Sequence, residues 1–255
     1  MSTALKNKPL VEAIFELRWA LPECATGAKI DPSYKILIGT LYHNIKERYP
    51  YLEALPSSTI PEEIAGYLIQ YRYRASKDKW PLIQVGPGII TFNDTEGYTW
   101  ENFREQVSYL AEKFFSTYPN IDELKINDVL IRYIDSIDFD YEKDDIFQYL
   151  KEKMKINISL SDNLFKDTGV NKRALSLDFK SSFRYDELPG ITNLRFARGK
   201  KNDKDILLWE TVVESIKDDA PKNKEDIIKW LDKAHWLEDD WFFKIIEGDL
   251  LKRFE

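Results

Sequence analysis

The sequence predicts an α+β fold, with mostly antiparallel, twisted sheet and helices on one face. Three observations carry that prediction. Several runs alternate apolar and polar residues at period 2, as half-buried strands do. Longer runs repeat apolar residues three and four apart, as amphipathic helices do. The strand runs also follow one another through short turns, which pairs them antiparallel and leaves the helices to cover one side.

The first run is PLVEAIFELRW, in which Val11, Ala13, Phe15, Leu17 and Trp19 alternate with Glu12, Ile14, Glu16 and Arg18. Asp31-Pro32 then predicts a helix start, an N-cap followed by proline, with Tyr34, Ile38, Leu41, Tyr42 and Ile45 on one face. After a loop at 56–61, Tyr67, Ile69, Tyr71 and Tyr73 oppose Gln70, Arg72 and Arg74 along a strand. The tip Lys77-Asp78-Lys79 turns into WPLIQVGPGIITFN. There Gly86-Pro87-Gly88 predicts a bulge, a sharp bend or a second tight turn, because proline cannot donate within a ladder. Thr99 caps the helix WENFREQVSYLAEKFFSTY, whose apolar stripe is Phe103, Val107, Leu110, Phe114 and Phe115.

The second half opens on the strand NDVLIRYIDSIDFD. Asp144 starts a short helix carrying Ile146, Phe147, Leu150 and Met154, and an irregular stretch follows to Gly169. Three strands come next, RALSLDFKS, ITNLRFARG and DILLWETVVES, the last two joined by a turn through Asn202-Asp203. A long helix from about Lys224 closes the chain, with Ile227, Trp230, Leu231, Ala234, Leu237, Trp241 and Ile245 inward. The two halves, 1–125 and 126–255, therefore read alike as pseudo-repeated strand-helix-strands-helix units in one body. That unit resembles the half-repeat of saddle-like folds such as the TATA-binding protein, a likeness of topology that carries no function.

Composition narrows the function classes. Charged residues make up 32% of the 255 and the net charge is −7, which disfavours broad attraction to nucleic acid or anionic lipid. The lone Cys24 excludes an internal disulfide and any multi-cysteine zinc site within one chain. No apolar run reaches the roughly 20 residues of a membrane span, and the predicted compartment is the cytoplasm, without cofactor or metal.

The segments PLVEAIFELRW, GPGIITFN followed by YTWENF, and IRYIDSI resemble a sporadically distributed prokaryotic family of no assigned activity. The ending WLDKAHWLEDDWFFKIIEGDLLKRF, a histidine-bearing helix before a short amphipathic segment, is similar to that family's ending. The sequence departs from the family pattern at Asp135, where asparagine is expected. The family's patchy occurrence resembles that of genes in defence islands and toxin–antitoxin loci, which implies a role in such an assembly.

Several residues stand out chemically. Glu12, Glu16 and Arg18 share a face of the first strand, and Arg132 or the Arg72/Arg74 pair could neutralise them, as either a salt-bridged cluster or a polar site. Asp178-x-Lys180, with Asp135, Asp138 and Asp140 upstream, matches the acidic-x-lysine arrangement of metal-dependent nucleases, where carboxylates hold the ion. Tyr71-Arg72-Tyr73-Arg74 and the basic run from Arg195 suggest a nucleic-acid-binding sheet, although alternation sends the tyrosines and arginines to opposite faces. His43 and His235 are the only histidines and read as packed or interfacial imidazoles. Trp236 and Phe243 fall around the last helix from Trp230 and Trp241, so the helix is either deeply buried or offers Trp236, Phe243 and Trp241 to a partner. The leading expectation is a non-catalytic interaction or adaptor protein with a protein partner or a second copy. A nuclease or hydrolase using Asp178 and Lys180, and a nucleic-acid-binding sheet, are the alternatives.

Overall fold

Leu10–Trp19 forms the strand on which the fold is assembled (β1). The computed structural model describes residues 5–25, 27–95 and 97–255. The alternation along β1 sends Ala13, Phe15, Leu17 and Trp19 to one face, where they are fully buried. On that face lie the helices Tyr34–Ile45 (α1), Trp100–Thr117 (α2) and Lys224–Ile246 (α4). Ile146–Lys153 (α3) and Asp249–Phe254 (α5) pack on the same face over the second half. Each large apolar side chain buried this way stabilises the fold by about 1.5–3 kcal/mol.

The remaining strands are Tyr51–Ala54 (β2), Tyr71–Arg74 (β3), Leu82–Gly86 (β4), Ile89–Asp94 (β5), Ile126–Asp138 (β6), Asp178–Tyr185 (β7), Gly190–Lys201 (β8) and Lys204–Ile216 (β9). All nine strands join one sheet in the order β2-β3-β4-β5-β1-β6-β9-β8-β7, every neighbouring pair antiparallel. First-half and second-half strands thus lie on opposite sides of the central β1–β6 pair. The fold is α+β with an antiparallel sheet.

Several boundaries differ from expectation, each for a local reason. Helix α1 begins at Tyr34, not at Pro32. The Asp31 carboxylate serves elsewhere, accepting from Trp19 Nε1 at 2.8 Å, Ser33 N at 3.0 Å and Gly88 N at 3.3 Å. On α1 Tyr34, Leu41 and Ile45 are buried as expected and Leu37 joins them, with Ile38 and Tyr42 only partly covered. The strand expected from Tyr67 starts at Tyr71, since Tyr67 adopts a left-handed φ of 63° that ends extended pairing. Helix α3 is capped by Asp145, whose carboxylate accepts from Phe147 N and Gln148 N, and not by Asp144. β2 was not foreseen. Its four residues show no clear alternation and pair only as an edge.

Gly86-Pro87-Gly88 is a tight turn between β4 and β5, with Gly86 and Ile89 paired across it. Proline preceding a residue at φ +78° is the pattern of a type II turn. A Cβ on Gly86 would sit 2.0 Å from the Leu68 carbonyl oxygen, so only glycine fits. Trp19, Asp31 and Gly88 are tied together there, which locks the hairpin to β1.

Candidate functional site

A cavity of about 250 Å³ opens on the helix-covered face, between the start of α2, the middle of α4 and the centre of β6 and β9, with Leu5 to Leu10 along one side. Local geometry explains how its walls meet. Thr99 caps α2 through Asn102 N, so Tyr98 and Trp100 project from the helix entrance. Tyr133 and Asp135 are two apart on β6 and therefore share a face, opposite Thr211 and Trp209 of β9. His235, Glu238 and Phe242 follow at spacings of three and four along α4, on the side turned to the sheet.

Three polar rings form a connected chain. The Tyr98 and Tyr133 hydroxyls are 2.7 Å apart, and the Tyr133 hydroxyl lies 3.0 Å from His235 Nδ1. His235 in turn stacks on Trp100. Burial lowers the His235 pKa to about 4, with the nearby Asp232 charge offsetting only part of that fall. The imidazole is therefore neutral at pH 7. Burial raises both phenols above their ordinary range, so they keep their protons.

Two carboxyl groups line the same cavity. Asp135 is fully buried, and burial pushes its pKa up to about 8. Glu238 is 3% exposed, both its carboxyl oxygens are shut off from the surface, and among the described residues neither has a close, well-aligned hydrogen-bond partner. Burial raises its pKa well above the usual carboxylate range; the Thr211 hydroxyl and the Val213 N–H, as weak donors, temper this, and the proximity of Asp135 adds to it. Asp135 is mostly protonated at neutral pH, and burial favours the same form of Glu238, a form that can donate a hydrogen bond as well as accept one. The walls around them are Leu5, Leu10, Trp100, Phe242 and Phe243. A mostly apolar cavity with a few convergent polar groups is the usual form of a small-ligand site.

No family model matches this chain, and neither does any curated protein.

Glu12, Glu16, Arg18 and Arg132 come together, but on the opposite, helix-free face of β1 and β6. They form contacts along β1 and across to its neighbours there. Glu16 pairs with Arg18 at 2.7 Å, Glu12 accepts from Asn93 at 2.8 Å, and Arg132 lies 3.8 Å from Glu210. Beside them, burial and then the charge of Glu214 push the Asp128 pKa up to about 7, against the pull of Arg18. Arg72 and Arg74 share this face farther out, engaged with Gln84 and Glu53, while Tyr73 points into the core. The charges of this cluster offset one another, although Glu16 Oε1, Arg18 Nε, Asp128 Oδ1 and Arg132 Nε are buried without an aligned hydrogen-bond partner among the described residues.

Asp178 and Lys180 sit on the edge strand β7, where the Asp178 carboxylate is held by Arg195 at 2.8 and 2.7 Å. Asp135 faces the other side of the sheet, and Asp140 is paired with Lys143. Among the described residues, no group of three or more His, Cys, Asp or Glu could hold a metal ion. No helix among them is long and apolar enough to cross a membrane.

The three aromatics of the last helix separate. Trp236 is 60% exposed. Trp241 is half-buried against both core clusters and meets Phe183 edge-on at 5.6 Å. Phe243 lines the cavity. His235 is the packed imidazole that was expected, and it is also a wall of the cavity. Glu238, Asp135, Tyr98 and Tyr133 were not singled out as one site. Glu238 did carry a signal, since it falls four residues after Ala234 and seven after Leu231, inside the apolar stripe of α4. An unpaired acid within such a stripe is costly to keep.

Proposed function

We propose that this chain is a binding protein, and that the cavity beneath His235 and Glu238 is its ligand site. The observation that carries the reading is the cavity itself, about 250 Å³ and walled largely by apolar and aromatic side chains, on which the Tyr98–Tyr133–His235 chain and Asp135 converge. Glu238, buried in its wall, is retained at a cost of roughly 1–3 kcal/mol, which marks the position as kept for more than packing. Recognition also suits the rings better than proton transfer. His235, Tyr98 and Tyr133 all have pKa values moved away from neutrality, where a general acid or base would need them. Further support comes from the segments that carry the family resemblance. PLVEAIFELRW, YTWENF, IRYIDSI and the histidine-bearing helix each supply part of the cavity wall.

The test is the stability of Glu238→Met. If the carboxyl is kept for a ligand, an apolar replacement of similar length stabilises the empty protein by about 1–3 kcal/mol. At about 2–4 °C per kcal/mol for a chain of this size, thermal denaturation reads that directly. A fall in melting temperature would make Glu238 a structural residue and defeat the reading.

A second reading, compatible with the first, is that the protein acts as an adaptor in a larger assembly, of the defence or toxin–antitoxin kind suggested by the family resemblance. Trp236 favours it, since a largely exposed tryptophan is a characteristic interface anchor. It follows directly on His235, so the ligand wall and the outward anchor share one turn of α4.

A further inference from the structure

Building on the binding reading above, we infer that the cavity takes a small uncharged ring compound, a lactam or aromatic carboxamide, whose N–H and C=O pair edge to edge with the Asp135 carboxyl. Asp135 is 3% exposed and lines the cavity, and its carboxyl makes no hydrogen bond among the described residues. Its oxygens are not shut off as both Glu238 oxygens are. Tyr98, Tyr133 and His235, by contrast, already satisfy one another at 2.7 and 3.0 Å. Asp135 is therefore left with bonding capacity to offer a guest.

The form of that group selects the guest. A protonated carboxyl sets an O–H donor beside a carbonyl acceptor. The complementary edge carries an N–H beside a C=O, and two parallel hydrogen bonds then close a planar pair. Burial holds Asp135 in the protonated form, its pKa raised to about 8. A cationic guest would have to ionise an acid that burial keeps neutral, and an anionic one meets no arginine among the described lining residues. Lys8 and Glu101 line the cavity but are exposed to solvent, and Lys8 Nζ already donates to the Tyr98 carbonyl at 2.5 Å. A hydrocarbon guest would leave the Asp135 carboxyl unmet, and a site built to hydrogen-bond rejects the analogue lacking the group. Shape favours a ring. Tyr98, Trp100, Phe242 and Phe243 bound the space, and flat guests pack well against aromatic faces and edges. An engineered cavity of about 150 Å³ holds benzene, so about 250 Å³ suits one substituted ring or two fused ones.

Isothermal titration calorimetry on the full chain at pH 6 tests this, with 2-pyridone and benzamide as probes. Their counterparts are N-methyl-2-pyridone, which lacks the donor, toluene, which lacks both groups, and benzoate and benzylammonium, which carry charge. The expected result is saturable one-to-one binding of 2-pyridone or benzamide, with every counterpart weaker by roughly tenfold or more. Asp135→Leu, similar in size and unable to hydrogen-bond, should weaken the bound probe by roughly tenfold or more. Asp135→Asn, which keeps a donor beside an acceptor, should stay within about threefold of wild type. Circular dichroism checks that both variants fold; if Asp135→Leu does not, the N-methyl comparison on the wild-type chain decides. Equal binding of any counterpart, unchanged affinity in folded Asp135→Leu, equal loss in both variants, or no binding by either probe overturns the inference. The binding reading is judged separately, by the melting temperature of Glu238→Met. Toluene bound as tightly as 2-pyridone would sink the inference and leave that reading standing.

Discussion

His235 lies flat against Trp100, with ring centroids 3.6 Å apart and planes 14° from parallel. A residue in the middle of α4 is thereby held to the first residue of α2, and the two helices close the cavity between them. The imidazole can stack this closely because burial keeps it uncharged.

That contact has a pH signature. The folded His235 pKa of about 4 lies below its unfolded value of 6.5, so its contribution is present above pH 6.5 and is lost as pH falls through 4. The full loss is about 3 kcal/mol. Denaturant unfolding of wild type and His235→Phe should show the stability difference between them shrinking across this window. A constant difference from pH 7 to pH 4 would mean that the imidazole titrates alike in the folded and unfolded protein, and would contradict a buried, neutral ring.

Asp135 runs the other way. Its folded pKa of about 8 lies above the ordinary carboxylate value of 3.8, so its contribution is present below pH 4 and is lost as pH rises through 8. Asp135→Asn cannot titrate. The variant should gain on wild type steadily between pH 4 and pH 8 in the same unfolding measurement. Parallel pH curves for the two proteins would contradict a buried, neutral carboxyl.

Trp236 and Trp241 separate surface from core on one helix. Trp236→Ala should leave stability within about 0.5 kcal/mol, because the side chain is mostly in water. It should reduce assembly in size-exclusion or pull-down experiments. Trp241→Ala removes packing shared by both core clusters and should cost about 2–3 kcal/mol, short of the figure for a fully buried tryptophan. Unchanged assembly in Trp236→Ala would remove the anchor role.

Asp31→Ala should destabilise strongly, by about 2–4 kcal/mol, since it strands the buried Trp19 Nε1–H and the Gly88 N–H together. Thermal melting checks it. Asp31→Asn, which keeps an acceptor, should recover part of the loss.

Much of the frame was legible in sequence because single elements announce themselves by periodicity. The alternation of β1, the Thr99 cap, the stripe of α4 and the Asn202-Asp203 hairpin, both residues at positive φ, all follow from local rules. Asp31 shows where local rules stop. Its sequence context reads as a helix cap, yet its partners Trp19 and Gly88 lie 12 and 57 residues away. The cavity was hidden for the same reason. Tyr98, Tyr133 and His235 are brought together across separations of 35 and 102 residues, and a pattern confined to one element cannot express that. The charged cluster on β1 misled in a complementary way. Glu12, Glu16 and Arg18 are conspicuous because they alternate with core residues, but alternation places them on the face away from the helices.

The central pairing of β1 with β6 has a consequence for assembly. Each of these strands covers the raw edge of the other, so residues 1–125 and 126–255 serve as mutual templates along one continuous ladder. Two copies that traded their second halves would rebuild that ladder bond for bond. What holds one chain to its own second half is the segment between Thr117 and Ile126, where Tyr118 packs on Trp19 and Phe114 and the Ala20 N–H donates to the Lys125 carbonyl, contacts that any exchange of halves between copies would have to break.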